Sequence, residues 1–306
     1  RYPSADWPQF PDLISHFLAH CRAARPALES PQAACLAVAG PVLDGRVKVT
    51  NLPWELKQTD LAQQCGLEQL ELVNDFAVLI YGLPHLGDHQ QATLRAGEAV
   101  PGAPVAILGA GTGLGVAIGA VGSEGLIALA SEAGHGEFAA RTGAEWALKQ
   151  WLQEDLGLER LSIERIVSGT GLGHVFRWLV AERGVGGAHP LAPGAKAEGP
   201  DDLPAAVAAA AAAGDALARE ALEMWLAAYG SVAGDLALQT LCRGGLWLGG
   251  GTAGKLLNAL GSPRFFSAFQ NKGRLGVQLQ GIPVRALIDP EAGLFSAACR
   301  ARMLLA

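Results

Sequence analysis

The run Leu108-Gly109-Ala110-Gly111-Thr112-Gly113-Leu114-Gly115 has the composition of an anion cradle. Its glycines let a backbone turn sharply and bring N–H groups against a negative charge, and Thr112 adds a hydroxyl donor. The same glycines would also serve a plain hairpin turn. A strand rather than a helix is predicted to follow, which excludes the dinucleotide fingerprint, and no Gly-Lys-Ser/Thr ends the run, which excludes a Walker loop. Upstream, Val73-Asn74-Asp75-Phe76 closes an apolar stretch. A carboxylate there stands at the mouth of a sheet, where α/β folds keep their ligands. Asp75 could accept a proton from a substrate hydroxyl while Asn74 hydrogen-bonds its neighbour, and the pair would serve as well to cap a helix. In Glu132-Ala133-Gly134-His135 both end side chains could reach hydroxyls of one small ligand, although such residues in loops are commonly just solvated. Glu164, in Ser162-Ile163-Glu164-Arg165-Ile166, reads as a first-turn helix acid that stabilises by dipole alone. Finally, Leu246-Trp247-Leu248 runs into Gly249-Gly250-Gly251, a turn that suits a nucleotide's adenosine or phosphate and equally an ordinary strand-to-helix corner.

These segments need elements to hold them. Helical spacing of apolar residues predicts helices from Phe10 to Arg22, Thr59 to Gln64, Trp146 to Leu156, Gly171 to Glu182, Asp215 to Leu241, Ala253 to Leu260 and Glu291 to Leu304, and another opening at Asn74-Asp75 toward Tyr81. Short apolar runs predict strands at Ala34 to Ala39, Leu70 to Val73, Pro104 to Leu108, Leu114 to Val121, Gly125 to Ala130 and Gly245 to Leu248, with a hairpin arm around Arg46 to Thr50. The Gly-, Pro- and Ala-rich stretch from Gly184 to Asp202 reads as a surface loop. Strands and helices alternate, so the class is α/β.

The chain has 306 residues, half of them hydrophobic, which favours two domains with sizeable cores. A formal net charge of −6 without a basic run argues against nucleic acid and anionic membrane as partners. Cys21, Cys35, Cys65, Cys242 and Cys299 are scattered and never spaced as CxxC, which argues against a disulfide framework or zinc knuckle and fits a reducing cytoplasm. The alanine-rich run from Leu203 to Ala213 is too short to span a membrane.

The order of these segments, together with Asn271-Lys272-Gly273-Arg274 and the final Glu291-Ala292-Gly293-Leu294, resembles the bacterial glucokinases of the hexokinase–actin superfamily along nearly the whole chain. That resemblance implies a two-domain actin/hexokinase-like (ribonuclease H-like) α/β fold with its active-site cleft between domains. The small domain would comprise residues 1–85 with 288–306, and the large one residues 86–287. It implies phosphoryl transfer from ATP, with Mg²⁺, to the 6-hydroxyl of glucose. Asp75 would be the general base, and Asn74, Glu132, His135 and Glu164 would hold the remaining hydroxyls. Gly111, Thr112 and Gly113 would match the second phosphate loop, and Gly249, Gly250 and Gly251 the adenosine turn. No protein metal ligand is implied by these matches. Family members often pair as homodimers. Family sequences also begin with an Asp-x-Gly-Gly-Thr loop, and nothing like it precedes Phe10, so the opening strands are expected to lie outside this sequence. A related hexose or N-acetylhexosamine kinase of the repressor/kinase (ROK) type, or a sugar sensor without transfer, is the alternative. The cysteine-rich motif of that ROK family does not follow His135.

Overall fold

A computed structural model describes residues 1–27, 29–50, 52–123, 125–192 and 203–305. Its strands are β1 (Ala33–Val38), β2 (Arg46–Lys48), β3 (Glu55–Lys57), β4 (Gln69–Asn74), β5 (Gln91–Arg95), β6 (Val105–Ala110), β7 (Leu114–Gly122), β8 (Gly125–Ser131), β9 (Gly245–Gly249) and β10 (Val284–Leu287). Its helices are α1 (Phe10–Ala24), α2 (Gln58–Cys65), α3 (Leu79–Gly82), α4 (Gly143–Asp155), α5 (Gly169–Glu182), α6 (Leu203–Ala212), α7 (Ala216–Thr240), α8 (Gly251–Lys255), α9 (Leu257–Leu260), α10 (Pro263–Gln270) and α11 (Ala292–Met303).

Two compact units emerge, one of Arg1–Leu86, Gly125–Ala130 and Asp289–Ala306, the other of Gly87–Glu124 and Ser131–Ile288. The boundaries lie one residue beyond those read from the sequence. The segment Gly125–Ala130, expected in the larger domain, groups instead with the smaller unit.

In the smaller unit, β1 and β4 pair in parallel with Val38 opposite Asn74. The β2–β3 hairpin places Val47 opposite Leu56. Val38, Val47, Val49, Trp54, Leu56, Leu61, Leu70 and Leu72 form its core. Both strands of the parallel pair end together, so the backbone after each continues from the same edge. That is where Asn74 and Asp75 stand.

In the larger unit, β5, β10, β9, β6 and β7 lie side by side in that order. β6 and β9 are parallel, with Gly109 opposite Gly249, while β6 and β7 are antiparallel, with Ala110 opposite Leu114. β9 is buried along its whole length, as the uninterrupted Leu246-Trp247-Leu248 run requires of a central parallel strand. Trp225 and Tyr229, one helical turn apart on α7 and both fully buried, pin two carbonyls. The Trp225 indole N–H donates to Ser168 O at 2.9 Å, and the Tyr229 hydroxyl donates to Leu108 O at 3.1 Å. The long helix therefore holds the approach to two loops at once.

Several elements depart from the sequence reading. The segment Ala253 to Leu260 is two short helices, because Leu256 leaves the helical region at φ −114°, ψ 26°. The helix expected to open at Asn74-Asp75 begins only at Leu79, after a run of turns. β5, β10 and α10 were not read from the sequence; each is short and β5 alternates only weakly. The expected surface loop from Gly184 to Asp202 is described only to residue 192, where a short 3-10 turn, Gly186–Ala188, lies; its remainder falls outside the described residues. Among the described residues no helix is long and apolar enough to cross a membrane.

Candidate active site

The glycine run is a tight hairpin. β6 extends through Ala110 and β7 starts at Leu114, so only residues 111–113 form the turn. Every carbonyl around it is engaged. The Thr252 hydroxyl donates to Ala110 O at 2.8 Å, and the Gly169 N–H donates to Gly111 O at 2.8 Å. The Thr170 hydroxyl donates to Thr112 O at 3.1 Å, and the Gly111 N–H donates to Gly113 O at 2.8 Å. The Leu114 N–H donates to Glu164 Oε2 at 2.9 Å. The N–H groups of Thr112 and Gly113 are left without a partner among the described residues. Two adjacent donors thus stand near the carboxyl ends of the parallel strands β6 and β9, a placement and chemistry that suit an anion.

Glu164 thus does more than the dipole role read from the sequence. It sits in a 3-10 turn, Ile163–Arg165, rather than in the first turn of an α-helix, and one carboxylate oxygen is spent on the Leu114 N–H. The other oxygen stays available to a ligand hydroxyl. The Glu132–His135 turn packs against the same strand end. A Cβ on Gly134 would meet Leu114 O at 2.2 Å, so only glycine lets the turn approach this closely. The turn is then braced by the Ile163 N–H donating to Gly136 O at 2.8 Å and by Arg160 donating to His135 O at 2.6 Å. The side chains of Glu132 and His135 face outward at 72% and 60% exposure, 3.8 Å apart. Leu114 therefore gathers three predicted segments at one strand end: the glycine hairpin, the Glu132–His135 turn and Glu164.

The Gly249–Gly251 turn joins the same group. Gly250 adopts φ +79°, a region that favours glycine, and a Cβ there would meet Ala110 O at 2.5 Å. Close backbone packing of this kind brings the turn against the hairpin.

The sequence reading missed four residues here. Ser168, 1% exposed, accepts the Gly171 N–H at 2.9 Å and caps α5. Thr170 and Thr252 hold loop carbonyls as described. His174, on the buried face of α5, places Nδ1 2.8 Å from Arg165 O, which makes Nδ1 the protonated nitrogen. Burial, aided by Arg177 and Arg165, holds the imidazole below its ordinary pKa. A cavity of about 240 Å³ is lined by Thr112, Gly113, Glu164, Arg165, Ser168, Thr170 and His174. The signal for Ser168 was present, since a serine before an apolar helical run is a helix-start pattern; the threonine contacts leave no such trace.

In the smaller unit, Asn74 caps no helix, since the next one starts only at Leu79; its side chain instead closes the turn that follows β4. Its Oδ1 accepts the N–H groups of Phe76 and Ala77, each at 3.0 Å. Its Nδ2 donates to Gly40 O at 3.2 Å and to Asp75 Oδ1 at 3.3 Å. Asp75 itself is solvent-exposed, and its backbone N–H donates to Val38 O at 2.9 Å. Asn74 therefore orients the carboxylate next to it.

The glucokinase family profile matches residues 1–304. A curated glucokinase of Synechocystis sp. is 39% identical over 304 residues, covering 95% of this chain and 86% of the relative. The crystal structure of a glucokinase from an Antarctic psychrotroph superposes with a TM-score of 0.83 at 30% identity, covering 98% of this chain and 88% of that one. A ROK family glucokinase from Streptomyces griseus, solved with glucose and AMPPNP, shares the fold at a TM-score of 0.59 and 20% identity, covering 97% and 89%. With a profile match along nearly its entire length and a relative this similar, the chain belongs to the glucokinase family.

Proposed function

We propose that this chain transfers the γ-phosphoryl group of ATP to the 6-hydroxyl of glucose, giving glucose 6-phosphate and ADP. The observation that carries the reading is the hairpin's peptide accounting, in a chain of this family. Its carbonyls are all tied back, and the Thr112 and Gly113 N–H groups remain for an anion. Phosphoryl transfer is mostly positioning and charge stabilisation, and preset backbone donors supply both without reorganising. The Gly249–Gly251 turn, packed on the hairpin, would carry the adenosine side of the nucleotide.

Glu164 suits one sugar hydroxyl through its remaining oxygen, and Glu132 and His135 suit others. Asp75 is the proposed base. A sugar hydroxyl is a weak nucleophile at neutral pH, so Asp75 takes its proton as the new O–P bond forms and the bond to the ADP oxygen breaks. Proton transfer of this kind contributes roughly 10²- to 10⁴-fold. Asn74 keeps the carboxylate turned to one side, and in this reading also meets a sugar hydroxyl.

The described residues include no cluster of three or more His, Cys, Asp or Glu side chains able to hold a metal. Mg²⁺ keeps most of its waters and binds readily through substrate phosphates, so in this reading it comes with the nucleotide.

The test is ADP release by the full-length protein, coupled to a dehydrogenase readout, with glucose varied and with mannose, fructose and N-acetylglucosamine as comparisons. Glucose-dependent ADP release is expected. Release that ignores glucose, or sugar binding with no ADP formed, would overturn the proposal. A preference for another hexose would move the chain to a different sugar kinase.

A further inference from the structure

We infer that Thr170 is a positioning residue for the phosphoryl donor, acting by aiming the Gly113 N–H; this rests on the reading of the hairpin as a phosphate cradle. A trans peptide is planar, so its C=O and N–H point in opposite directions. Fixing the carbonyl therefore aims the amide. Thr112 O and Gly113 N belong to one peptide, and its carbonyl is held by the Thr170 hydroxyl at 3.1 Å. Gly111 O and Thr112 N belong to the preceding peptide, and its carbonyl is held by the Gly169 N–H at 2.8 Å. The two unpartnered donors thus sit on the two peptides gripped by the first residues of α5.

The grip is close. A Cβ on Gly169 would lie 2.9 Å from Gly111 O, so this amide approaches the loop nearer than a larger residue could. The platform beneath it is fixed by Ser168, which caps α5 and whose carbonyl takes the Trp225 indole N–H. Thr252 provides an internal control. It holds Ala110 O, but the N–H of that peptide, on Gly111, already donates to Gly113 O. Losing the Thr252 hydroxyl leaves both outward donors aimed.

Without the Thr170 hydroxyl, the Thr112–Gly113 peptide is free to rotate, and glycine offers little resistance. A rotated peptide presents a carbonyl oxygen, instead of an N–H, to an incoming phosphate. Lysine or arginine would not be needed for such a site to lose affinity; one reversed dipole is enough.

The experiment compares Thr170→Val, Thr170→Ser and Thr252→Val in the full-length protein. ADP binding is measured by calorimetry without turnover, alongside KM for ATP and for glucose and the thermal midpoint. Thr170→Val is expected to weaken ADP binding and raise the KM for ATP roughly three- to ten-fold, the value of one solvent-accessible hydrogen bond. The KM for glucose should move much less, Thr170→Ser should restore the parent values, and Thr252→Val should affect ADP less than Thr170→Val does. ADP binding by Thr170→Val equal to the parent's removes the positioning role while leaving the phosphate cradle standing. Equal impairment of the Val and Ser variants also removes it, because the hydroxyl would not be what matters. A parent protein that binds no ADP overturns the cradle and this inference with it.

Discussion

Replacing Glu164 with Gln keeps the side chain's shape but removes its charge and turns one of its two acceptor oxygens into a donor. One carboxylate oxygen accepts the Leu114 N–H at 2.9 Å, and Leu114 is 7% exposed, so that amide has no ready replacement from water. In the variant the single amide oxygen must therefore stay on Leu114. The NH₂ group then occupies the position offered to the sugar. A glucose hydroxyl donating to Glu164, as proposed for the parent, would meet another donor. Leaving such a group unpaired costs about 1–3 kcal/mol, or roughly five- to 150-fold in affinity. The N–H bond to Leu114 also loses its charge assistance, which weakens the hairpin–turn junction by about 1 kcal/mol. Steady-state kinetics with both substrates varied should show the KM for glucose rising by about ten-fold or more, with the KM for ATP changing far less. Glu164→Asp should fail similarly, since one methylene fewer cannot span both Leu114 and a ligand. A KM for glucose that stays at the parent value in Glu164→Gln, or one that rises in step with that for ATP, would refute the two-handed role of this carboxylate.

Asp75→Ala should lower kcat by about 10²-fold or more while calorimetry still detects glucose binding; near-normal turnover would remove Asp75 as the base. Gly134→Ala drives a methyl group into Leu114 O and should cost about 1–3 kcal/mol of stability in denaturant unfolding, with glucose affinity falling as the turn is displaced; an unshifted midpoint would mean the turn yields without strain. Ser168→Ala removes a buried helix cap and should cost about 1 kcal/mol by the same measurement. His174, whose pKa is lowered by burial, binds its proton more readily once unfolded, so its contribution to stability is present above the ordinary value of 6.5 and is lost as pH falls below it. His174→Asn, which can still donate to Arg165 O, should flatten that loss; thermal midpoints at pH 8 and at about pH 5.5 for both proteins check it, and parallel curves would show that His174 does not contribute.

Much of the frame was legible from local pattern alone. The Leu246-Trp247-Leu248 run is a buried strand because a central parallel strand has no polar face to alternate with, whereas the Ala34 to Ala39 run falls in a strand of a two-stranded sheet in which only Val38 is buried. Phe10 to Arg22 reads as a helix because its apolar residues recur at helical spacing and Pro11 sits in the first turn, where its missing N–H costs nothing. β5 and β10 escaped because four or five residues of mixed polarity carry too little periodicity; their pairing to each other and to β9 defines them. Asn74 was offered by the sequence as a helix cap or a ligand contact, and the structure has its amide oxygen accept two N–H groups of a turn that precedes the helix, with its amide nitrogen donating partly to Asp75.

By itself the sequence determined which residue types stood ready for chemistry, in what order, and that the glycine run lay between two strands, since glycine, helix spacing and apolar runs act over a few neighbours. Only the tertiary structure decided that Glu164 reaches across 50 positions to the Leu114 N–H, and that Gly169, Thr170 and Thr252 tie back the hairpin's carbonyls. A hydrogen bond has a direction set by the whole fold. Its partners share no pattern along the chain, and so the aim of each donor became visible only once the strands and helices had packed.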